Sequence, residues 1–376
     1  MHITRLRLTT FRNHMSTELH FVPGVNVLLG ANGQGKTNVV EAINLLASGS
    51  SHRTHQLTAL VNAHSTEAVV NAELVHAQRT LSVDVQLDTG GANKARANGN
   101  GIRMRELSRH IHVVFFAPED LGIIRDDPEE RRSFIDTIVT VLSPRMIGVF
   151  SDYDRAVKQR NSLLKSLRHV ARAQRDLSTL AIWDEKIVGL GTEITFARLA
   201  AVSALREPLQ EAYQSIAGQA HSTNIALSSR ISETLKETAT RTEIGDKFAT
   251  AMIAALDDDL DRGTTSVGPH RDEVVFRLND LPVKGYASHG ETWSFALSLK
   301  LGMAELFRHE SLGDPIVILD DVFAELDVSR RDRLSRAISD FEQVIITAAV
   351  AEDIPDVAVQ RTFHVDAGTV QGMPAA

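Results

Sequence analysis

The chain contains no cysteine, which removes disulfide frameworks, thiolate nucleophiles and cysteine metal sites at once. No run approaches the roughly 20 uninterrupted apolar residues of a membrane span. Met1 leads directly into His2 to Arg7 without an apolar leader, so the reading is a cytoplasmic protein with no membrane partner. The 15 histidines are scattered and lack the paired spacing of a zinc site. There is no internal repeat and no low-complexity tract. Nor is there a positive excess: the net charge of −8 argues against a whole surface made for nucleic acid. What is present is 376 residues, 43% hydrophobic, enough for a full core and two lobes.

Periodicity divides the chain. Ile3 to Phe11 alternates apolar and polar, and Val25 to Leu29 is a short apolar run, so two strands are expected in the first 30 residues. A glycine-rich turn follows, and Val40, Ile43 and Leu46 carry helical spacing over Thr37 to Ala47. Val69 to Val75 and Leu81 to Leu87 read as paired strands, Asp88 to Asn100 as a loop, and His112 to Phe116 as a buried strand. From Glu129 to about Leu256 helical periodicity dominates, with breaks expected at Pro144 and Pro208. Strand and turn patterns return at Thr265, including Val274 to Leu278. A helix over Glu291 to Phe307 and a strand over Pro315 to Leu319 follow. The expected organisation is an α/β head in two parts, residues 1–127 and 263–376, interrupted by a helical arm over 128–262.

The strongest chemical signal is Gly30-Ala31-Asn32-Gly33-Gln34-Gly35-Lys36-Thr37. It fits the phosphate-loop pattern and stands between a strand and a helix, where the chemistry requires it. Its glycines permit backbone conformations that turn successive amides toward phosphate oxygens, and the helix adds its positive end. Lys36 is placed to neutralise the β and γ phosphates of ATP, Thr37 to take a Mg2+ position, and Asn38 continues the nucleotide-binding set. A second signal is the apolar strand that ends in Asp320 and Asp321. Beside the phosphate-loop strand in a parallel sheet, Asp320 would hold magnesium and Asp321 would polarise the attacking water.

The rest of the C-terminal block resembles ABC-type ATPases. Ala324-Glu325-Leu326-Asp327 is similar to their D-loop, and Ser288-His289-Gly290-Glu291 to their signature motif. That resemblance implies that Ser288 and Gly290 meet the γ phosphate of ATP held by a second copy, so that nucleotide becomes part of a dimer interface. Further segments resemble the RecF family across nearly the whole chain. They are Phe11-Arg12-Asn13-His14, Phe116 to Leu121, Pro128 to Asp136, Tyr153 with Lys158 to Leu164, Trp183-Asp184 and Gly268-Pro269-His270-Arg271-Asp272. The resemblance implies an SMC-like P-loop ATPase head with a short helical arm. It also implies DNA binding, an ATP-dependent homodimer, slow hydrolysis, and work with RecR, and often RecO, to load RecA at single-stranded gaps. Two positions depart from the family pattern: Glu291 where glutamine is usual, and Trp293 where arginine is common. An acid near a phosphate weakens that contact unless it faces away. After the strand Gln343 to Ile346 stands Thr347, so no histidine is available there as a γ-phosphate sensor.

Between Asp154 and Asp176 lie seven cations and no acid. On one helix, Lys158, Lys165, Arg168, Arg172 and Arg175 would form a stripe facing DNA phosphates, with Leu164 and Leu167 on the adjoining arc. Lys94, Arg96, Arg103, Arg105 and Arg109 make a second cluster, either a phosphate contact or a solvated loop. Arg131, Arg132, His270 and Arg271 are expected either in ion pairs between head and arm or against DNA. Two rivals are an SMC-like tethering head and a transporter-type ATPase. The first needs a coiled coil far longer than the intervening 130 or so residues can supply.

Overall fold

The computed structural model describes residues 1–171, 174–218, 221–231, 235–310, 313–354 and 358–373. The first half of the chain forms β1 (His2–Phe11), β2 (His14–His20), β3 (Gly24–Leu29), α1 (Lys36–Ser48), β4 (Glu67–His76), β5 (Arg79–Asp88), β6 (Lys94–Ala97), β7 (Asn100–Ile102), β8 (Val113–Phe116), α2 (Gly122–Arg125), α3 (Pro128–Leu142), α4 (Met146–Leu167) and α5 (Ser178–Ala217). The second half forms β9 (Thr223–Ser228), α6 (Arg241–Ala254), α7 (Leu256–Arg262), β10 (Glu273–Leu278), β11 (Leu281–Pro282), the kinked turn α8 (Val283–Tyr286), α9 (His289–His309), β12 (Ile316–Asp320), α10 (Val328–Ile338), β13 (Gln343–Ala348), β14 (Val359–Asp366) and β15 (Thr369–Met373). These fall into two compact units. The first is Met1–Leu121, Glu207–His221 and Ala287–Ala376; the second is Gly122–Arg206 and Ser222–Tyr286.

The first unit carries two six-stranded sheets. One has the order β2-β1-β4-β5-β6-β7, and the other β15-β14-β3-β13-β12-β8. Alternation along β1 and β4 sends Leu6, Leu8, Val70 and Leu74 inward. β12 and β13 are buried along their whole length, as expected of strands covered on both faces. Val39, Val40, Ile43, Leu45 and Leu46 of α1 share one core with Leu6, Leu8, Val70 and Val85 of the first sheet. Ile316, Ile318, Ile345 and Phe363 of the second sheet join the same core. Each such side chain contributes about 1.5–3 kcal/mol on burial, so α1 is fixed from both sides.

Several expectations change. The segment between the two early strands holds a further strand, β2, paired antiparallel with β1. Part of the expected loop over 88–100 is β6, because Ala95 and Ala97 alternate inward against β5. Pro208 does not end a helix; it lies inside α5. The boundary expected at 262/263 also moves. β10 pairs with β9 in a three-stranded sheet, β11-β10-β9, so residues 222–286 stay with the second unit. The second unit is therefore not purely helical. α5 is the one helix, among the described residues, long and apolar enough to match a membrane span by length and composition. Half of that stretch is buried inside the fold, as in a core helix.

The second unit is organised by buried ions. Arg160 is fully buried, donating to Asp184 Oδ1 and to Asp259 Oδ2 at 2.6 Å each and to Thr265 Oγ1 at 3.0 Å. Asp259 is also fully buried and accepts from Ser266. Arg198 forks onto Asp136 at 2.7 and 2.8 Å. Arg131 pairs with Glu273 at 2.6 Å, Arg132 donates to the Asp272 carbonyl, and His270 Nδ1 stands 2.8 Å from the Tyr153 hydroxyl. The partners of Arg131, Arg132 and His270 thus lie within one unit, not between a head and an arm. Removing one member of a buried pair strands the other, so Arg160→Met is expected to destabilise this unit by about 3–5 kcal/mol. Denaturant unfolding should show its transition at markedly lower midpoint than wild type; an unchanged midpoint would mean that the pair does not hold the unit.

Candidate functional site

Residues 30–35 join β3 to α1, and α1 starts behind Gly35 at φ 116°. Lys36 is buried and folded over the loop, donating to the carbonyls of Gly30 at 2.5 Å and Ala31 at 3.1 Å. Burial pulls its ammonium pKa down against the opposing effect of Asp321 and Asp320. Asn32, Gly33, Gly35, Lys36, Thr37 and Asn38 line a cavity of about 360 Å3, closed by Arg53, Asp321 and Thr347. Gly30, Ala31 and Gln34 are not part of that lining. The Gln34 carbonyl accepts from Asn13 Nδ2 at 2.9 Å, and the Gly30 amide donates to Ala348.

β12 is not the neighbour of β3, as the sequence led us to expect. β13 lies between them, parallel to both. Register sets Asp320 opposite Thr347, and Thr347 opposite Leu28. Thr347 consequently reaches both acids: its hydroxyl donates to Asp320 Oδ1 at 2.6 Å and accepts from the Asp321 amide at 2.9 Å. Thr37 donates to the same Asp320 oxygen at 3.2 Å. The amide bond holds Asp321 in the left-handed region at φ 57°, a strained setting for a non-glycine residue. The hydroxyl of Thr37 and the carboxylate of Asp320 make a hard oxygen pair suited to Mg2+ that completes its shell with phosphate and water. No cluster of three or more carboxylates or imidazoles for a metal occurs among the described residues.

Ser288 and Gly290 do not line this cavity; they begin α9 elsewhere in the unit. Glu291 turns back onto its own helix start, accepting from the Ser288 amide at 2.8 Å, while Ser288 Oγ accepts from the Glu291 amide at 3.3 Å. These bonds, aided by the charges of His221 and Arg330, hold its carboxyl below the usual range. Arg330, paired with Asp327 of the D-loop-like segment at 3.1 Å, packs against Gly290. Trp293 is buried with its ring edge-on to Phe116, which explains why no charged group is required there.

The expected basic stripe is shorter than one helix face. α4 carries exposed Lys158 and Lys165 and ends at Leu167, with Arg168 exposed at its cap. The chain reverses there because Leu163, Leu164 and Leu167 pack with Leu177, Leu180 and Leu260. Arg175 is half-buried and donates to the Val170 carbonyl, and Arg172 lies outside the described residues. Lys94 and Arg96 are exposed on β6, and Arg103, Arg105 and Arg109 are exposed beyond it. Sequence reasoning missed Arg53 and the second use of Thr347. Nothing in local spacing marks Arg53, which reaches Asn38 Oδ1 at 3.2 Å only through the fold.

Asp320 is 4% exposed, and burial, with Asp321 and Glu119 nearby, pushes its pKa up to about 6 against the two threonine hydroxyls. A raised carboxyl pKa costs the folded chain stability above pH 6 and is relieved as pH falls toward 4. Asp320→Asn is therefore expected to raise the melting temperature without metal or nucleotide. The gain should reach up to about 3 kcal/mol at pH 8 and shrink at pH 5; equal gains at both would rule out a titrating Asp320.

The model of the RecF/RecN/SMC N-terminal domain matches residues 2–369. The DNA replication and repair protein RecF of Clavibacter sepedonicus is 47% identical, with 100% of this chain and 96% of that protein covered. RecF of Streptomyces avermitilis is 43% identical over 99% of this chain and 100% of its own length. The solved structure of the recombination mediator protein RecF-ATPrS in the RecFOR pathway superposes with TM-score 0.90 at 28% identity, covering 99% and 98% of the two chains. An SMC head bound to the C-terminal winged-helix domain of ScpA gives TM-score 0.58 at 15% identity, a likeness of fold alone. With a phosphate loop at the end of β3, paired acids at the end of β12 and this likeness along its whole length, the chain belongs to the RecF family and has the ABC/SMC-type ATPase head fold.

Proposed function

We propose that the chain is an ATP-dependent, DNA-binding recombination mediator of the cytoplasm, a weak ATPase that DNA stimulates. Two copies close around ATP and Mg2+ on double-stranded or gapped DNA. With RecR, and RecO, the dimer promotes RecA loading at single-stranded gaps in recombinational repair, replication restart and the SOS response. The unit of Met1–Leu121, Glu207–His221 and Ala287–Ala376 serves as the head in this reading, and the unit of Gly122–Arg206 and Ser222–Tyr286 as the arm. The observation that carries it is the single cavity on which Lys36, Thr37, Thr347 and Asp321 converge, with Asp320 bonded behind it, while Ser288 and Gly290 stand apart from it.

Each residue has a task. The amides of 32–38 cradle the phosphates, and Lys36 exchanges the carbonyls of Gly30 and Ala31 for phosphate oxygens. Thr37 and Asp320 hold Mg2+, which supplies charge neutralisation of the phosphates. Asp321, aimed by Thr347, orients the attacking water. Ser288 and Gly290 of one copy offer a helix start to the other copy's γ phosphate, with the Glu291 carboxylate folded onto that same helix start as its cap. The length of the rod separates this reading from a tethering head: the longest helix among the described residues, α5, has 40 residues.

Mass in solution with ATP and magnesium should double for wild type and stay monomeric for Lys36→Met and Ser288→Arg. A monomeric wild type at every nucleotide and DNA condition rejects the shared site. For DNA, Lys158 and Lys165 on α4 and Arg168 at its cap are exposed cations placed to neutralise backbone phosphates. Replacing all three by glutamine should weaken duplex binding and flatten the slope of log affinity against log salt by up to about 2.7. An unchanged slope would place the DNA contact elsewhere.

A further inference from the structure

His14 is fully buried directly behind the phosphate loop. It is the first residue of β2, beyond a turn in which Arg12 is left-handed at φ 52°. Nε2 stands 3.1 Å from the carbonyl oxygen of Gly35, and Nδ1 stands 2.9 Å from the carbonyl oxygen of Gly368, in the turn between β14 and β15. Thr17 Oγ1 lies 3.1 Å from Nδ1 and donates to the same Gly368 oxygen at 3.1 Å. The same three segments are tied again around the ring. The Gly368 amide donates to the Gln34 carbonyl at 2.9 Å, the Ala367 amide to Gln34 Oε1 at 2.7 Å, and Asn13 Oδ1 accepts from Asn38 at 2.8 Å. Neither glycine has room for a side chain. A Cβ on Gly35 would fall 2.7 Å from the Asn13 amide, and one on Gly368 would fall 2.2 Å from the Asn13 carbonyl oxygen.

A carbonyl oxygen held from behind fixes its whole peptide plane, because C=O and N–H of one peptide point in opposite directions. Holding Gly35 O by His14 and Gln34 O by Asn13 and Gly368 therefore aims the amides of Lys36 and Gly35 forward, into the cavity. Carbonyl oxygens only accept, whereas a neutral imidazole has one N–H for two of them. With the proton on Nδ1, the Gly35 contact sets lone pair against lone pair; with the proton on Nε2, the Gly368 contact does. Only the imidazolium serves both. In the empty loop burial disfavours that ion, outweighing the two carbonyls, and holds the pKa below 6.5. Charged residues on the segments around the ring are Lys36 at the start of α1, Arg12 in the same turn, Glu18 on β2 and Asp366 at the end of β14. None of them is paired with His14. A bound triphosphate adds several negative charges just across the loop.

We propose that His14 is a positioning residue for the triphosphate, a buried ring clamped between the Gly35 and Gly368 carbonyls that takes up its second proton when the nucleotide fills the loop. This rests on the ATP-site reading above. Binding then carries a proton with it, so affinity rises as pH falls from 8 toward 6.

Binding of the imido analogue of ATP with magnesium to the full chain, followed by calorimetry in two buffers of different ionisation enthalpy, tests this. Wild type should take up more protons than His14→Gln, and the difference should shrink at low pH, once the free form of the wild type is protonated as well. His14→Phe, which keeps the volume without a donor, should bind at least about tenfold more weakly, and His14→Gln should lie between. Equal proton uptake in wild type and His14→Gln, or wild-type affinity in His14→Phe, overturns the assignment. If His14→Phe does not fold by circular dichroism, the wild-type and His14→Gln comparison decides alone. Binding lost in Lys36→Met but kept with unchanged proton uptake in His14→Gln rejects this role and leaves the ATP site standing. No binding by wild type rejects both.

Discussion

Three adjacent parallel strands, β3, β13 and β12, set the distances on which the functional reading of this chain depends. Their backbone groups pair along fixed registers and their side chains are almost wholly buried, so none can slide without exposing a row of valines and isoleucines. Strand spacing near 4.8 Å puts the ends of β3 and β12 about 10 Å apart, with the end of β13 between them. A threonine at that middle position spans the gap. Thr347 bonds both Asp320 and Asp321, and Thr37 closes the group from α1. The phosphate loop and the two acids closing β12 are thus one hydrogen-bonded assembly, laid out by strand order.

Electrostatically, the assembly is made for a ligand of opposite charge. Asp320 is buried with only hydroxyl partners, and its ionised form is costly until a cation arrives. Lys36 meanwhile rests on two loop carbonyls and is itself disfavoured as a cation by burial. In the proposed reading, nucleotide with magnesium would relieve both at once, since each buried charge would gain a counter-charge. The segments behind the loop, from the β1–β2 turn to the β14–β15 turn, keep the loop carbonyls turned away from that ligand.

Positive charge in the second unit falls into two groups that burial separates. Arg131, Arg160 and Arg198 are buried and committed to carboxylates, holding helices and the β9–β10 sheet together. Lys158, Lys165 and Arg168 stand in solvent on and just beyond α4. A count of seven cations between Asp154 and Asp176 therefore overstates what is available to DNA, because Arg160 is removed by its partners and Arg175 is half-buried.

The sequence by itself determined what depends on neighbours along the chain. The strand, glycine loop and helix around Lys36, the acids closing β12, the buried β8 and the helix behind Ser288 follow from local periodicity and from the few residues able to adopt the required backbone. Family resemblance reached further, to blocks such as Phe11 to His14, but gave them no physical task. Tertiary structure decided everything that depends on which segments meet. It inserted β13 between β3 and β12, brought Arg53 and Thr347 to the cavity, and set His14 against Gly35 and Gly368, 354 residues away along the chain. It also ended the basic stripe at Arg168, where leucine packing outweighed a helical pattern that charge alone would have continued. Strand order and side-chain burial are settled by long-range packing free energy, and local spacing carries no record of it.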